Sequence, residues 1–438
     1  MPERFDLLII GGGQAGIPLA YALAKAGRTV ALAERKYLGG SCVNFGCTPT
    51  KAAIASARVA HLARRGREFG LRIPTVEVDF PAVIERAQSI ALESRHSLDK
   101  GLEGSANPKL FRTHARLTGR AGADFRMLLG DQELLAGEVV LNTGTRSQIP
   151  SITGLEKLPY LTAENWLVRT NLPERLAIVG GGYIGLEMGQ FYRRMGSRVT
   201  IWEHGGQILE REDPEIANAL QKFLESEGIE FRLGETIESV DQLGSSDVFV
   251  AVGRHPNTDD LGLETVGVER DQHGYVKVDK RLATNVSGIW AAGDIRGGPL
   301  FTHTSWDDFR VLKSQMAGDG SRTTDRIVPY AVFTDPELGR VGLTERELKA
   351  QGREYEVKKF EMKRNGKARE LGEPEGFIQV LLEKGSGNIL GAAALCADAA
   401  ELVHMYVDIM NAGASSHVIR DAVHIHPTLA EAIQSVLS

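Results

Sequence analysis

The stretch LLIIGGGQAGIPLAYALAKAGRTVALAE, residues 7–34, decides the fold. Leu7, Leu8, Ile9 and Ile10 form an apolar run without alternation, as a parallel strand buried on both faces requires. Gly11, Gly13 and Gly16 then spell G-x-G-x-x-G. An Ala-rich helix is predicted from about Gln14 to Ala26, followed by a strand over Thr29–Ala33 that ends at Glu34. A dinucleotide explains this grammar. Glycines let the backbone approach a pyrophosphate, the helix start offers free N–H groups, and the terminal acid takes ribose hydroxyls.

The pattern returns at Leu176–Glu203, with a strand over Leu176–Val179, a turn of Gly180, Gly182 and Gly185, and Val199–Trp202 leading into Glu203. Gly11 to Glu34 and Gly180 to Glu203 are both separated by 23 residues. One such motif is weak in a chain with 49 glycines; two in the same strand–helix–strand setting are specific. They imply one bound flavin and one exchanging nicotinamide. The expected class is α/β, with two Rossmann-like dinucleotide-binding domains. Further on, GIWAAGD at 288–294 reads as a short strand stopped by Asp294, placed to hold a hydroxylated ligand chain or to cap the next segment.

The chain has 438 residues, 42% hydrophobic and 25% charged, which suits several domains with sizeable cores. A net charge of -6 without a dense basic stripe argues against a nucleic-acid partner. The run Arg64, Arg65, Arg67 reads as a solvated helix face. No apolar stretch reaches the length of a membrane span or signal peptide, so a cytoplasmic protein is expected. Three cysteines cannot form a disulfide scaffold. Cys396, alone in the apolar run Ala392–Ala397, reads as a buried structural thiol.

Cys42 and Cys47 sit in GGSCVNFGCTPTK, residues 39–51. Thr48 suits a helix N-cap and Pro49 the first helical position, so a helix is expected to begin just past Cys47. A helix end supplies roughly 0.3–1 kcal/mol to a nearby anion, less than one pKa unit of about 1.4 kcal/mol. A fast dithiol therefore needs a second contributor, and a histidine is the obvious one. The alternatives are half of a metal site or two unrelated thiols. No other Cys or His ligand stands nearby in the sequence, so redox chemistry is favoured and no metal site is expected.

Six motifs in order, GGSCVNFGCTPTK (39–51), GGGYIGLE (180–187), VGRHPNT (252–258), GIWAAGD (288–294), VFTDPELGRVGLTE (332–345) and HIHPTLAE (424–431), make the whole chain resemble the flavin disulfide reductases. These include glutathione reductase, dihydrolipoamide dehydrogenase and mercuric reductase. The resemblance implies an enzyme that uses FAD and NAD(P)H. It makes Cys47 the charge-transfer thiolate nearer the flavin and Cys42 the outer interchange thiol. Lys51 would pair with Glu187 beside the flavin, and Tyr183 would move to admit the nicotinamide. Gly11, Gly13, Gly16, Glu34, Lys51, Thr143, Gly144, Asp294, Thr302 and His303 would hold FAD. Gly180, Gly182, Tyr183, Gly185, Glu187, Glu203 and Gly253 would serve NAD(P). His426, oriented by Glu431, would be the acid/base, donated in trans by the second subunit of a homodimer.

The resemblance also implies the layout: an FAD domain over 1–149 and 272–322, an NAD(P) domain over 150–271, and an α+β dimerisation domain over 323–438. Mercuric reductases carry a vicinal cysteine pair near the C-terminus and often a metal-binding leader; the last residues here read QSVLS, and neither feature is expected. GGPLFTHTSWDDFRV at 297–311 is most similar to a bacterial mercuric reductase-like branch that includes a copper(II) reductase linked to reactive-chlorine resistance. Dihydrolipoamide dehydrogenase is the alternative, through HIHPT and Glu203. A flavin-bearing redox sensor is the alternative of another class. It is disfavoured because a sensor has no need of the trans acid/base. Glu203, followed by His204 and Gly205 rather than arginines, predicts NADH over NADPH. The acceptor is a small disulfide, a metal ion or another oxidant. The region 58–120 carries no legible motif beyond helices and a loop.

Overall fold

In the computed structural model, which describes residues 2–245 and 247–438, β1 (Glu3–Ile10) runs through the middle of a seven-stranded sheet. The chain climbs through α1 (Gly16–Lys25) and returns as β2 (Val30–Ala33), parallel to β1 with Leu7 opposite Val30. Leu7, Leu8 and Ile9 are fully buried, which explains the missing polar alternation.

Three helices follow: α2 (Gly40–Asn44), α3 (Cys47–Arg64) and α4 (Phe80–Glu103). Ala53, Ala57 and Ala60 on one side of α3 join a core with Phe80, Ile84 and Ala87 of α4. Recurrence every three or four residues places each set on a single helix face. Asp79 caps α4 by accepting from the Ala82 N–H, with Pro81 in its first turn. This helical pair occupies much of the motif-free region. The arginine run is not simply solvated: Arg64 donates to the Arg194 carbonyl, and Arg65 binds Glu68 and the Gly372 carbonyl. Long side chains at a helix end reach neighbouring elements while their charged heads remain hydrated.

The first sheet is completed by β3 (Lys109–Phe111), β4 (Ala115–Ala121), β5 (Asp124–Leu129) and β6 (Gln132–Leu141), and the chain leaves through β7 (Thr145–Ser147). A second, wholly parallel sheet is built from β8 (Arg175–Val179), α5 (Tyr183–Met195), β9 (Arg198–Glu203), α6 (Pro214–Ser226), β10 (Ile229–Leu233) and β11 (Asp247–Val250). Its strand order is β10-β9-β8-β11. Next, β12 (Arg254–Pro256) pairs antiparallel with β7, and β13 (Ile289–Ala291) returns to the first sheet beside β6. Then comes α7 (Thr302–Ala317).

The last third forms an antiparallel sheet of β14 (Tyr330–Val332), β15 (Glu337–Gly342), β16 (Tyr355–Glu361), β17 (Phe377–Glu383) and β18 (Ile389–Cys396), in the order β14-β15-β18-β17-β16. The architecture is thus α/β, two Rossmann-like units followed by an α+β unit. Cys396 is fully buried at the end of β18, and burial pushes its thiol well up. Beyond β18 the helical stretch is divided into Ala399–Leu402 and His404–Asn411. Its first turn is pressed onto β15, where a Cβ on Gly339 would meet the Ala399 carbonyl at 2.4 Å.

The three units meet at a buried ion network. Arg194 of α5, only 5% exposed, binds Glu227 and Asp335, each at 2.6 Å. Arg58 of α3 binds Asp335 and Glu373, again each at 2.6 Å.

Candidate active site

The two glycine turns are built alike. Gly11 has φ +110, and a Cβ there would lie 2.2 Å from the Asn142 carbonyl oxygen; a Cβ on Gly16 would lie 2.2 Å from the Gly11 carbonyl oxygen. In the second turn Gly180 has φ +115 with its Cβ position 2.4 Å from the Ala251 carbonyl oxygen, and Gly185 would strike the Gly180 carbonyl at 2.0 Å. No side chain fits these positions, because the helix start must press on the strand end. Each turn also holds its acid. The Gly12 N–H donates to Glu34 Oε2 at 2.8 Å, and the Gly181 N–H to Glu203 Oε2 at 2.7 Å. The Lys36 and Gly205 N–H groups bind the other carboxylate oxygens.

A cleft of about 1410 Å³ runs from Gly11, Gly13 and Glu34 past Thr143, Gly144 and Asp294 to Cys42, Cys47, Lys51, Thr302 and His303. Tyr183 and Glu187 enter it from α5, which starts at the second glycine turn and so links the two cradles. Gly180, Gly182, Gly185, Glu203 and Gly253 lie outside this cleft, as do His426 and Glu431.

The cleft fits FAD by its chemistry. Glu34 at one end suits ribose hydroxyls, and the turn with the start of α1 suits the pyrophosphate. Asp294 lies in the middle, accepting from the Thr145 hydroxyl at 3.1 Å. Burial raises its pKa, while Arg254 and Thr145 act against that rise. Thr143 and Asn257 bind reciprocally, Oγ1 to the Asn257 carbonyl at 2.7 Å and Nδ2 to the Thr143 carbonyl at 2.9 Å.

The cysteines occupy two successive helices. Cys42 is in α2, and Cys47 is the first residue of α3, capped by Gly46 rather than Thr48. The expected start, with Thr48 as cap and Pro49 first, therefore moves back by two residues, since Gly46 is drawn against α2 by its N–H bond to the Ser41 carbonyl at 2.7 Å. Both cysteines are free thiols, and Cys47 is exposed to the cleft. The hydrogen bond from Cys42 holds the Cys47 thiol below its ordinary value; burial opposes this, and Thr302 and Lys51 assist. Cys42 is correspondingly pushed up by that hydrogen bond and by burial. Thr302 Oγ1 lies 3.3 Å from Cys47 Sγ. Within this chain the leading contributor to the lowered Cys47 pKa is the partner thiol.

Lys51 Nζ donates to Glu187 Oε2 at 2.6 Å, and Glu187 is only 4% exposed. Tyr183 packs its ring against Phe301, and burial pushes its phenol up to about 12. His303 binds the Pro329 carbonyl at 2.7 Å, and burial lowers its pKa. His426 Nδ1 meets Glu431 Oε1 at 2.9 Å. The Thr428 N–H and then His426 hold Glu431 below the usual carboxylate range. His426 is 77% exposed and stands beside Ile425 and Val423, which are 79% and 99% exposed.

Three contributors are absent from the sequence reading. Asn142 accepts from the Gly16 N–H at 2.9 Å and donates to the Ala292 carbonyl at 2.7 Å, tying α1 to the end of β13. Its signal was a polar residue closing an apolar strand. Arg254 binds Thr145 and Glu164 above Asp294. Phe333 touches both members of the Lys51–Glu187 pair. The latter two stood inside quoted motifs whose individual side chains carried no spacing rule.

Comparison with known proteins agrees with this construction. The pyridine nucleotide-disulphide oxidoreductase family matches residues 5–308, and the dimerisation domain of that family matches residues 328–437. The probable pyridine nucleotide-disulfide oxidoreductase RclA of Escherichia coli K12 is 31% identical, over 100% of this chain and 99% of that protein. A dihydrolipoyl dehydrogenase of Cupriavidus necator is 31% identical, over 99% of this chain and 97% of that one. The solved Cu(II) complex of the HOCl-induced flavoprotein disulfide reductase RclA from Escherichia coli superposes with a TM-score of 0.89 at 31% identity, covering 98% of both chains. Glycine cradles, dithiol, dimerisation domain and full-length similarity agree: the chain belongs to the pyridine nucleotide-disulphide oxidoreductases, as an FAD-dependent, NAD(P)H-using flavoprotein enzyme.

Proposed function

We propose that this enzyme carries electron pairs from NADH through Cys42 and Cys47 to a metal-ion or other oxidant acceptor of the copper(II) type, two Cu(II) ions being reduced to Cu(I) for each pair as the disulfide re-forms. The observation that carries this reading is the dithiol itself. Cys47 is held toward thiolate by Cys42, Thr302 and Lys51 at the floor of the cleft. The Cu(II) complex of a full-length relative supports the acceptor class.

In this reading residues 1–149 and 272–322 bind FAD, 150–271 bind the nicotinamide, and 323–438 pair two copies. Gly11, Gly13, Gly16, Glu34, Thr143, Gly144, Asp294, Thr302 and His303 hold the first dinucleotide. Gly180, Gly182, Gly185, Glu203 and Gly253 serve the second. The bound flavin supplies hydride acceptance from the nicotinamide and return of an electron pair to the Cys42–Cys47 disulfide. The chain's own residues do the rest. Lys51 keeps a positive charge beside Cys47, fixed by Glu187. Tyr183 covers the nicotinamide side until the ring displaces it. Cys42 meets the acceptor, and the partner's His426, aligned by Glu431, handles the proton. In this reading a second copy supplies that pair, which is consistent with both residues lying outside the cleft of their own chain. A reducing cytoplasm is the compartment that suits such a dithiol.

Dihydrolipoamide oxidation is the second reading, favoured by the dihydrolipoyl dehydrogenase relatives. NADH oxidation by the FAD-loaded enzyme, compared across Cu(II), lipoamide, glutathione disulfide and a quinone, separates the two. Turnover with Cu(II) above the rest is expected, and lipoamide as the best acceptor would displace the first reading.

The nicotinamide choice rests on Glu203. Its carboxylate is fixed by the Gly181 and Gly205 N–H groups and meets His204 Nδ1 at 2.8 Å. A 2′-phosphate would face that fixed charge, a repulsion of roughly 1 kcal/mol or more. kcat/KM for NADH is expected to exceed that for NADPH by at least about 5-fold, and Glu203→Ala should narrow the ratio. A wild-type preference for NADPH would overturn the assignment.

A further inference from the structure

We infer that Phe333, supplied by the C-terminal unit, is the positioning residue for the Lys51–Glu187 pair. This rests on the reading of that pair given above. The pair spans two units, Lys51 on α3 and Glu187 on α5, and each member has a contact left over after their mutual bond. Phe333 takes both. Its N–H donates to Glu187 Oε1 at 3.0 Å, while the other oxygen accepts from Lys51. Its ring lies under the ammonium, with Lys51 Nζ 4.5 Å from the centroid. A cation within about 6 Å of an aromatic centroid is attracted by the ring's quadrupole. One residue thus fixes the rotation of the carboxylate through the main chain and the place of the ammonium through the ring.

Phe333 is itself pinned by the helices that carry the pair. Arg58 stands two turns beyond Lys51 on α3, and Gln190 and Arg194 stand one and two turns beyond Glu187 on α5. These spacings put each set on one helix face. All three grip Asp335, two residues past Phe333. The Asp335 N–H donates to Gln190 Oε1 at 2.8 Å, and Gln190 Nε2 returns a bond to the Asp335 carbonyl at 2.7 Å. Arg194 and Arg58 take one carboxylate oxygen each. Segment 333–335 therefore reads the spacing between α3 and α5 and transmits it to the ammonium. Phe333 lines the cleft, so a shift of its ring changes the charge placed beside the flavin site.

The test compares Phe333→Leu, Phe333→Tyr and Lys51→Met as FAD-loaded enzymes, reading kcat with NADH, the visible absorption of the bound flavin and its midpoint potential. Phe333→Leu keeps the main-chain N–H and loses the aromatic face. It is expected to lower kcat roughly 3- to 30-fold and to move the flavin spectrum and potential in the direction seen in Lys51→Met. Phe333→Tyr should restore most of both. Phe333→Leu added to Lys51→Met should cost nothing further, because the ring then has no ammonium to hold. Wild-type kcat and potential in Phe333→Leu, or additive losses in the double variant, would overturn the inference while leaving the pair's role intact. Wild-type behaviour in Lys51→Met would instead refute the pair. Should Phe333→Leu not retain FAD, Phe333→Met makes the same comparison with an unbranched side chain and no ring.

Discussion

Cys42→Ser is expected to lower turnover with disulfide acceptors by on the order of 10³-fold or more, while quinone reduction by NADH survives. The argument is one of electron balance. A disulfide accepts two electrons as its S–S bond opens, and the resulting dithiol returns them when that bond re-forms. A hydroxyl at position 42 can do neither, so Cys47 is left without a partner to close the cycle. A quinone needs no sulfur and provides the control. The same substitution series tests the electrostatics of the pair. The leading cause of the lowered Cys47 pKa is the hydrogen bond from Cys42. A depressed pKa means that the thiolate is present at neutral pH and is lost only as pH falls through that depressed value. In the reduced enzyme its ultraviolet absorbance should therefore develop below the ordinary thiol value of about 8.5, and in Cys42→Ala it should move upward. Equal turnover of disulfide or Cu(II) acceptors by wild type and Cys42→Ser would remove the thiols from the reaction.

Arg194→Leu should destabilise the protein by about 3–5 kcal/mol, read as a lower denaturant midpoint of the FAD-loaded enzyme. Arg194 is the shared cation between Glu227 and Asp335, and all three side chains are largely buried. Losing it leaves the Glu227 carboxylate with the neutral Gln190 amide, at 3.0 Å, in place of a cation, and leaves Asp335 with Arg58. Asp335 is held below the usual carboxylate range even though burial, the largest influence on it, acts the other way; Arg194 and Arg58 outweigh that burial. Such a lowered pKa contributes stability that is full above the unfolded value and is lost as pH falls through the folded one. The deficit of Arg194→Leu should accordingly shrink on acidification. A change under about 0.5 kcal/mol, the size of an ordinary surface substitution, would show that the network is not coupled to folding.

What could be read from the sequence had a physical period or a fixed offset. Leu7–Ile10 with its glycine turn, and the copy at Leu176–Val179, stand out because a close backbone approach tolerates no side chain and a doubly covered strand tolerates no polar residue. Cys42 and Cys47 stand out because thiols are scarce. The start of α3 was misjudged by two residues because threonine's capping preference is local, whereas Gly46 is set by contact with α2. The same limit hid Asn142, Arg254 and Phe333. Each acts through residues more than a hundred positions away, as Phe333 does on Glu187 and Asn142 on Gly16. No local pattern announces such a partner. The roles of Lys51 and His426 were legible only through resemblance, since an isolated lysine or histidine is usually a surface residue.

The two crossings of the chain between the first and second sheets lie side by side, with Thr145 opposite Pro256 and Ser147 opposite Arg254. That ribbon is not the only tie: Phe191 and Tyr192 of α5 share one buried core with Phe80 and Ile84 of α4 and with Val332 and Leu338 of the last sheet, so parting the units would expose that apolar surface to water.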